Sequence, residues 1–244
     1  MAYIDILNTQ DAGCKVCGSK TIFSEDGNEF VCSVCGKVKK QGESCSNEHH
    51  VCENCRVSSN YDVISSICLD SKHKDPLALA VEIMNLPIIK QHGGEHHFIV
   101  PAVLMTSIHN TTGKPDNLAD TLKRAEKLAA ETPVSCTFKQ GTCGAAIGTG
   151  IFLKVFSERD EIIEEEFSLS DSLTADSLKT IENTHGPRCC KRDTYISIEQ
   201  AVYFLRDKYA VDLPMTEAKC TFSLRNETCG HEECSYYNIG FSLV

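Results

Sequence analysis

The segment from residue 12 to residue 57 is dense in cysteine, glycine and polar residues and poor in apolar ones. Such a segment buries too little apolar surface to fold by itself, so it needs metal ions or disulfides to hold it together. The whole chain has 244 residues and 15 cysteines, several of them in CxxC pairs. An odd count and CxxC spacing in a long chain are typical of metal binding in a reducing compartment. The segment therefore predicts a metal-binding module.

Two CxxCG motifs form the first predicted zinc site of this module. A CxxC turn presents two thiolates to one ion, and the glycine that follows allows a tight backbone turn. Fourteen residues separate Cys17 from Cys32, which matches the spacing of zinc ribbons, and the only predicted strands, TIFS and EFVCS, lie in this region. The predicted ligands are Cys14, Cys17, Cys32 and Cys35.

A second predicted site lies in CSNEHHVCENC, which offers three cysteines and two neighbouring histidines. The series Cys-x4-His-x-Cys-x2-Cys resembles half of a RING-like or treble-clef module and favours the second histidine. The predicted ligands are Cys45, His50, Cys52 and Cys55. The pairing has two alternatives: two sequential sites, or a crossed arrangement in which Cys32 and Cys35 join Cys52 and Cys55. Closed four-ligand sites leave no open position, so we expect both zinc ions to be structural.

The rest of the chain predicts helices that begin at capping residues and end at Gly/Pro turns. Asp75 and Pro76 form an N-cap and first-residue pair, and the nearly all-apolar run at residues 143–156 predicts a central helix. Further helices are predicted to begin near Pro101, after Asp116, at Asp171 and at Asp193.

These patterns predict a mostly α fold in three parts. Residues 1–57 form a small zinc-ribbon-like β module with two zinc sites, and residues 58–218 form an all-helical domain with a Cys/His pocket. Residues 219–244 form a short cysteine-bearing segment that packs on the helical domain.

The charge balance argues against a general nucleic-acid binder. The chain has 34 acidic and 24 basic residues, and phosphate binding needs clustered Lys and Arg. The amino terminus has no basic stretch followed by an apolar one, and no run approaches the ~18 apolar residues of a membrane span. The sequence therefore predicts a cytoplasmic protein with no membrane attachment.

Three stretches place reactive side chains just before predicted helices: QHGGEHHFIVPAVL, GTCGAAIGTGIF and THGPRCCKRD. A helix start and nearby cations both favour thiolates. Neighbouring side chains tend to point apart, so we expect one thiol of the adjacent cysteine pair to face a pocket while the other packs elsewhere. The candidate catalytic residues are Cys143, Cys189, Cys190, His96, His97 and Glu95.

Other residues in the helical domain and the C-terminal segment are candidate cofactor or substrate ligands. Arg188 and Lys191 would hold an anionic substrate. Cys136 flanks the loop CTFKQGTC, and its two alternative roles are packing in the core and binding a metal. The C-terminal segment offers three cysteines and His231, which permit either a zinc site or an iron–sulfur cluster. These cysteines are Cys220, Cys229 and Cys234.

Together with the upstream cysteines, these three stretches resemble a cysteine-rich domain family of unknown function from methanogenic archaea and other anaerobes. The resemblance covers roughly residues 32 to 236. In some members the domain is joined to a class I S-adenosylmethionine methyltransferase. This chain has no Rossmann segment, so the resemblance implies no methyltransferase activity here, and the family supplies no established catalytic residue.

The function that these features predict is that of a metal-binding cytosolic protein of anaerobic metabolism. Its Cys/His pocket would support redox, sulfur-transfer or one-carbon chemistry on a small anionic substrate. A non-catalytic zinc-finger adaptor or regulator that docks a protein partner is the alternative, and thiol metal storage is a third. Convergence of the three stretches on one concave site would favour the first.

Overall fold

The computed structural model describes residues 13–24, 29–57, 59–132, 142–157, 164–184 and 186–238. The predicted ligand Cys136 lies outside the described residues. The chain divides into two compact units, and each is described by itself. Unit 1 comprises residues 1–63 and 86–88, and unit 2 comprises residues 64–85 and 89–244.

Unit 1 carries the strands of the described chain, all of them short and antiparallel. A three-stranded sheet has the order β1-β4-β5, and β2 pairs with β3 in a separate ribbon. Short strands with few buried side chains agree with a module that metal ions hold together. The strands are β1 (Thr21–Ser24), β2 (Phe30–Val31), β3 (Val38–Lys39), β4 (Gly42–Cys45) and β5 (His50–Cys52).

Helices make up most of the described residues, which confirms the predicted mostly α fold with a small N-terminal β module. In this part of the chain they are α1 (Glu53–Val57), α2 (Asn60–Asp70), α3 (Pro76–Met84), α4 (Glu95–Thr112), α5 (Leu118–Glu131), α6 (Gly144–Phe156), α7 (Glu164–Glu182) and α8 (Cys190–Tyr209). None of the described helices is long and apolar enough to cross a membrane.

The core of unit 2 is built around α4 and α6. Helix α4 packs on α3, α5, α6 and α8, and α6 also contacts α7 and α8. Two glycines of α6 allow close approach: a Cβ at Gly144 would lie 1.8 Å from the ring of His97, and one at Gly148 would lie 2.9 Å from Cβ of Val100. The nearly all-apolar sequence of α6 therefore does form a central helix, as its pattern predicts.

Asp75 caps α3 as the sequence predicts, because its Oδ1 accepts hydrogen bonds from the N–H groups of Leu77 and Ala78. Three other predicted helix starts are wrong. Pro101 lies inside α4, which begins at Glu95, and Asp171 lies inside α7. Asp193 lies in the first turn of α8 and does not cap it. Acidic residues are favourable in a first turn as well as at a cap, so their position alone does not fix the first residue.

Residues 210–238 of unit 2, which include the described part of the predicted C-terminal segment, follow α8 without a further α-helix and make polar contacts with the rest of the unit. The backbone N–H of Thr216 donates to Oδ2 of Asp75 at 2.8 Å, and Nη2 of Arg225 donates to Oδ1 of Asn85 at 2.9 Å. Two short 3-10 turns, Ser223–Arg225 and His231–Glu233, shape its end. These turns position the three C-terminal cysteines.

Candidate metal centres

The first cysteine cluster joins the first CxxC turn to the hairpin between β4 and β5. Its ligand atoms come from Cys14, Cys17, Cys45 and His49 and all lie within 4.8 Å of one another. The Sγ atoms of Cys17 and Cys45 are 3.8 Å apart, and Sγ of Cys45 lies 3.5 Å from Nδ1 of His49. Tetrahedral zinc with Zn–S bonds of about 2.3 Å places its sulfur ligands about 3.8 Å apart. This cluster therefore fits one zinc ion.

The second cluster comprises Cys32, Cys35, Cys52 and Cys55, whose sulfur atoms also lie within 4.8 Å of one another. Cys32, Cys52 and Cys55 are almost fully buried. Cys52 ends β5 and Cys55 lies in α1, while the first two residues come from the second CxxC turn. Four thiols at this spacing also fit one zinc ion, so the two clusters are compatible with two bound metal ions.

Hydrogen bonds favour a thiolate in each cluster. Donors on Ser19 and Asn47 lower the pKa of Cys17 to about 5, and Nδ2 of Asn47 lies 3.4 Å from the sulfur. Burial opposes ionisation of Cys32, but hydrogen bonds led by the backbone N–H of Cys52 lower its pKa to about 7. The thiolate is the form that binds a metal, so each site has one thiol that ionises readily, whereas burial raises the pKa of Cys14, Cys52 and Cys55.

The ligand pairs alternate along the chain, so the crossed arrangement is the one that the structure has. The strand register explains why. Strand β1 pairs with β4 so that Thr21 lies opposite Cys45, which brings the first CxxC turn to the end of β4. The sequential pairing, with all four N-terminal cysteines on one ion, is not the one formed.

The prediction of His50 as a ligand is corrected, because the structure places His49 in the first cluster. The backbone N–H of Cys45 donates to the carbonyl oxygen of His49 at 3.1 Å, so the turn after β4 folds His49 back beside that cysteine. His50 begins β5, and its ring stacks on Phe30 with centroids 5.3 Å apart. Sequence spacing cannot separate two adjacent histidines, whereas the turn geometry does.

A cavity in unit 2 is lined by four further cysteines. Its empty volume is about 420 Å³ when the open solvent at its mouth is counted, and four aromatic residues are part of its wall. One cysteine is the N-cap of α8, and the other three come from the C-terminal segment. The four are Cys189, Cys220, Cys229 and Cys234. Sequence reasoning grouped the last three as cofactor ligands but assigned Cys189 to a different pocket.

Three of these thiols accept N–H hydrogen bonds. Nε2 of Gln91 donates to Sγ of Cys189 at 3.2 Å, the backbone N–H of Phe222 donates to Cys220 at 3.3 Å, and that of His231 donates to Cys229 at 3.4 Å. Such donors stabilise a negatively charged sulfur. Sequence reasoning missed Gln91, which stands one residue before the first histidine of QHGGEHH.

The distances between sulfur atoms distinguish this cavity from the two N-terminal clusters. Among the described residues, the groups of three or more His, Cys or carboxylate ligand atoms that all lie within 4.8 Å of one another are those two clusters, and the cavity cysteines form no such group. No three of their sulfur atoms are thus close enough to share one tetrahedral zinc ion. The four cysteines line a common space without forming a single-ion site of this kind.

The adjacent cysteines face different surroundings, as expected for neighbouring side chains. Cys189 lines the cavity, whereas Cys190 is buried with its Sγ 3.5 Å from Nδ1 of His92. The first stretch contributes Gln91 to the cavity and the third contributes Pro187, Cys189 and Arg192, whereas Cys143 of the second is not among the lining residues. The predicted convergence of all three stretches on one concave site is therefore only partial.

Cys143 is the N-cap of α6, yet its surroundings do not favour a thiolate. Burial and the negative charge of Asp193 raise the pKa of Cys143 to about 11, and its Sγ lies 3.5 Å from Oδ2 of that residue. The N–H groups of Ala145 and Ala146 oppose this shift without overcoming it. Sequence reasoning considered the helix start but not the carboxylate that α8 brings to it.

The candidate residues of α4 are packed into the core. His96 is fully buried, with Nδ1 2.8 Å from the hydroxyl of Thr194, and the ring of His97 fills the space beside Gly144. Glu95 stands in the first turn of α4 with its carboxylate beside Gly93. These contacts give the two histidines structural positions, and none of these residues lines the cavity.

The predicted anion-binding cations are also placed by the structure. Nζ of Lys191 is buried and donates to the carbonyl oxygens of Met84 and Ile89, at 3.0 and 3.1 Å. It lies 4.8 Å from the ring centroid of Phe222. Burial raises the pKa of Asp193, and the positive charge of Arg188 is one of the effects that oppose this rise. Lys191 therefore stabilises backbone carbonyls beside the cavity and is not available to hold a substrate.

Burial, followed by the positive charge of Lys191, lowers the pKa of His96 from 6.5 to about 3. Between these two pH values His96 is protonated in the unfolded chain and neutral in the folded chain. The free energy of unfolding therefore decreases as the pH falls from 6.5 towards 3. We expect His96→Asn to remove this component, which is worth about 1.4 kcal/mol per pH unit within the window. Urea unfolding of both proteins at pH 7 and pH 5 measures it; parallel pH dependence would contradict a buried neutral His96.

Comparison with known proteins finds one family. The model of a family of unknown function, DUF5714, matches residues 64–237. No curated protein and no solved structure matches the chain. The matched residues include the cavity cysteines and the helices that position them. Because the match covers well over half of the chain, the protein belongs to the family of unknown function DUF5714.

Proposed function

We propose that this chain is a redox metalloprotein that holds a [4Fe–4S] cluster in the cysteine-lined cavity and transfers electrons through it. The ligands would be Cys189, Cys220, Cys229 and Cys234. When bound, such a cluster accepts and donates single electrons at a potential set by its surroundings. In this proposal the N-terminal clusters hold two zinc ions that stabilise unit 1.

The spacing of the four cavity thiols carries the proposal. A zinc ion draws four sulfur atoms together, as the two N-terminal clusters do within 4.8 Å. An iron–sulfur cluster is larger than an ion, so its four cysteines stand farther apart around a common centre. The cavity cysteines are compatible with this arrangement, because they line one space and no three of their sulfur atoms lie within 4.8 Å of one another.

The cavity wall also suits a negatively charged cluster. The lining contains no aspartate or glutamate, and it includes Arg192, whose guanidinium pairs with Oδ1 of Asp193 at 3.0 Å. Nζ of Lys191 lies on the face of Phe222, which is itself a lining residue. N–H donors to three of the thiols and a largely apolar, aromatic wall are the features that set the potential of iron–sulfur centres.

Electron transfer is favoured over sulfur-transfer or one-carbon chemistry because the four cysteines would complete the cluster. A cluster with a cysteine on each iron has no open position for a substrate. Cys143, the thiol predicted as a nucleophile, lies outside the cavity and is held protonated by burial and Asp193. The described residues thus offer ligands for a cluster more readily than groups for substrate chemistry.

Metal and sulfide analysis of anaerobically purified protein tests the proposal. We expect about four iron and four sulfide per chain, together with about two zinc, and brown protein whose visible absorption bleaches on reduction with dithionite. Colourless protein that contains zinc but no sulfide would contradict it. Iron without acid-labile sulfide would also contradict it, because that result indicates mononuclear iron.

Other predictions from the sequence stay predictions. They are the zinc-finger adaptor function, a protein partner, the anaerobic source and the cytoplasmic location. The metal and sulfide analysis distinguishes the proposed function from an adaptor, because an adaptor needs zinc in unit 1 and no cluster in unit 2.

A further inference from the structure

Two residues of the cavity wall carry a buried hydroxyl group without a hydrogen-bond partner among the described residues. They are Tyr195, which is fully buried, and Ser223, which is 4% exposed. A buried hydroxyl without a partner costs about 1–3 kcal/mol, so such groups are rare unless a ligand or water satisfies them. Both residues line the cavity that the four cysteines also line.

The distribution of the N–H donors indicates which acceptors are left for these hydroxyls. Cys189, Cys220 and Cys229 each accept an N–H hydrogen bond. No donor to the sulfur of Cys234 is present in the described part of the chain. If a [4Fe–4S] cluster were held here, the Cys234 thiolate and the inorganic sulfides would be the sulfur acceptors without such an N–H donor.

We propose that the hydroxyl of Tyr195 donates a hydrogen bond to a sulfur atom of the cluster and thereby raises its reduction potential, an inference that rests on the proposed function. The hydroxyl of Ser223 is the second donor. A hydrogen bond to sulfur stabilises the reduced cluster more than the oxidised one, because the reduced cluster carries more negative charge. In this proposal the Tyr195 hydroxyl adjusts the reduction potential of the cluster through a direct hydrogen bond.

A second tyrosine in the cavity wall provides a matched control. The ring of Tyr236 packs against that of Tyr195, with centroids 5.3 Å apart, and it also lines the cavity. Its hydroxyl, however, donates to Oε2 of Glu199 at 2.8 Å. The two tyrosines share the cavity wall but differ in whether the hydroxyl is already bonded to protein.

A potentiometric titration of the full-length, cluster-loaded protein, monitored by electron paramagnetic resonance, tests the inference. We expect Tyr195→Phe to shift the midpoint potential to a lower value while iron and sulfide content stay at the wild-type level. Tyr236→Phe should leave the potential close to that of the wild type. Ser223→Ala should shift it in the same direction as Tyr195→Phe, and it carries the test if Tyr195→Phe does not fold.

The outcomes separate this inference from the proposed function. Wild-type protein without a cluster would overturn both. A cluster whose potential is the same in the wild type, Tyr195→Phe and Ser223→Ala would overturn the inference alone. Equal shifts in Tyr195→Phe and Tyr236→Phe would also overturn it, because they would trace the effect to the aromatic wall and not to the unbonded hydroxyl.

Discussion

Cys189→Ala should remove the iron–sulfur cluster, whereas Cys190→Ala should leave it in place. Cys189 is proposed as the ligand that α8 contributes to the cavity, and Cys190 is buried toward His92. Loss of one of four cluster ligands exposes an iron atom, so we expect iron and sulfide to fall from about four per chain to near zero. Metal and sulfide analysis of both variants after anaerobic purification measures the difference.

The adjacent substitution is the control for folding. Cys190 is the more buried of the two, and so Cys190→Ala should disturb packing at least as much as Cys189→Ala. Circular dichroism should show similar helix content in both variants, and both should keep their zinc. The proposed ligand set would be wrong if both variants kept the cluster, or if Cys190→Ala lost it while Cys189→Ala kept it.

Paired substitutions in unit 1 should reveal which cysteines share an ion. In the crossed arrangement Cys14 and Cys45 bind the same zinc, so Cys14→Ala/Cys45→Ala should lose about one zinc per chain and keep the other. Cys14→Ala/Cys32→Ala removes a ligand from each cluster and should lose both. Structural zinc binding in small modules is worth about 10–16 kcal/mol of apparent free energy, so the second variant should also unfold unit 1.

The zinc content per chain of both variants is measured after gel filtration in the presence of a mild chelator. Sequential pairing would reverse the result: the Cys14/Cys32 variant would keep one zinc and the Cys14/Cys45 variant would lose both. The two adjacent histidines supply a further control within the same turn. His49→Ala should weaken one zinc site, whereas His50→Ala should keep both ions, because its ring lies on Phe30.

Local sequence signals predicted the helices better than their ends. Asp75 followed by Pro76 marks the start of α3 because the carboxylate satisfies free N–H groups, and this requirement is local. Pro101 gave a false start, since it lies inside α4 and its side chain packs beside Gly148 of α6. That contact depends on tertiary packing, which no short window of sequence contains.

The site followed the same division between local and long-range information. CxxC spacing identified the N-terminal cysteines as ligands, but a CxxC turn can complete a site with any other pair. The register between β1 and β4 decides the pairing. In unit 2 the sequence marked Cys220, Cys229 and Cys234 as ligands, yet it could not show that the start of α8 brings Cys189 to them.

X-ray absorption at the iron and zinc edges of the anaerobically purified wild-type protein tests the central claim most directly. The claim is that the two closely spaced N-terminal clusters bind zinc and that the cavity cysteines bind an iron–sulfur cluster. At the iron edge the account predicts sulfur ligands and strong iron–iron scattering. At the zinc edge it predicts sulfur at about 2.3 Å with a minor nitrogen component from one histidine in the two sites. Zinc in all three centres, or iron without an iron neighbour, would contradict the account.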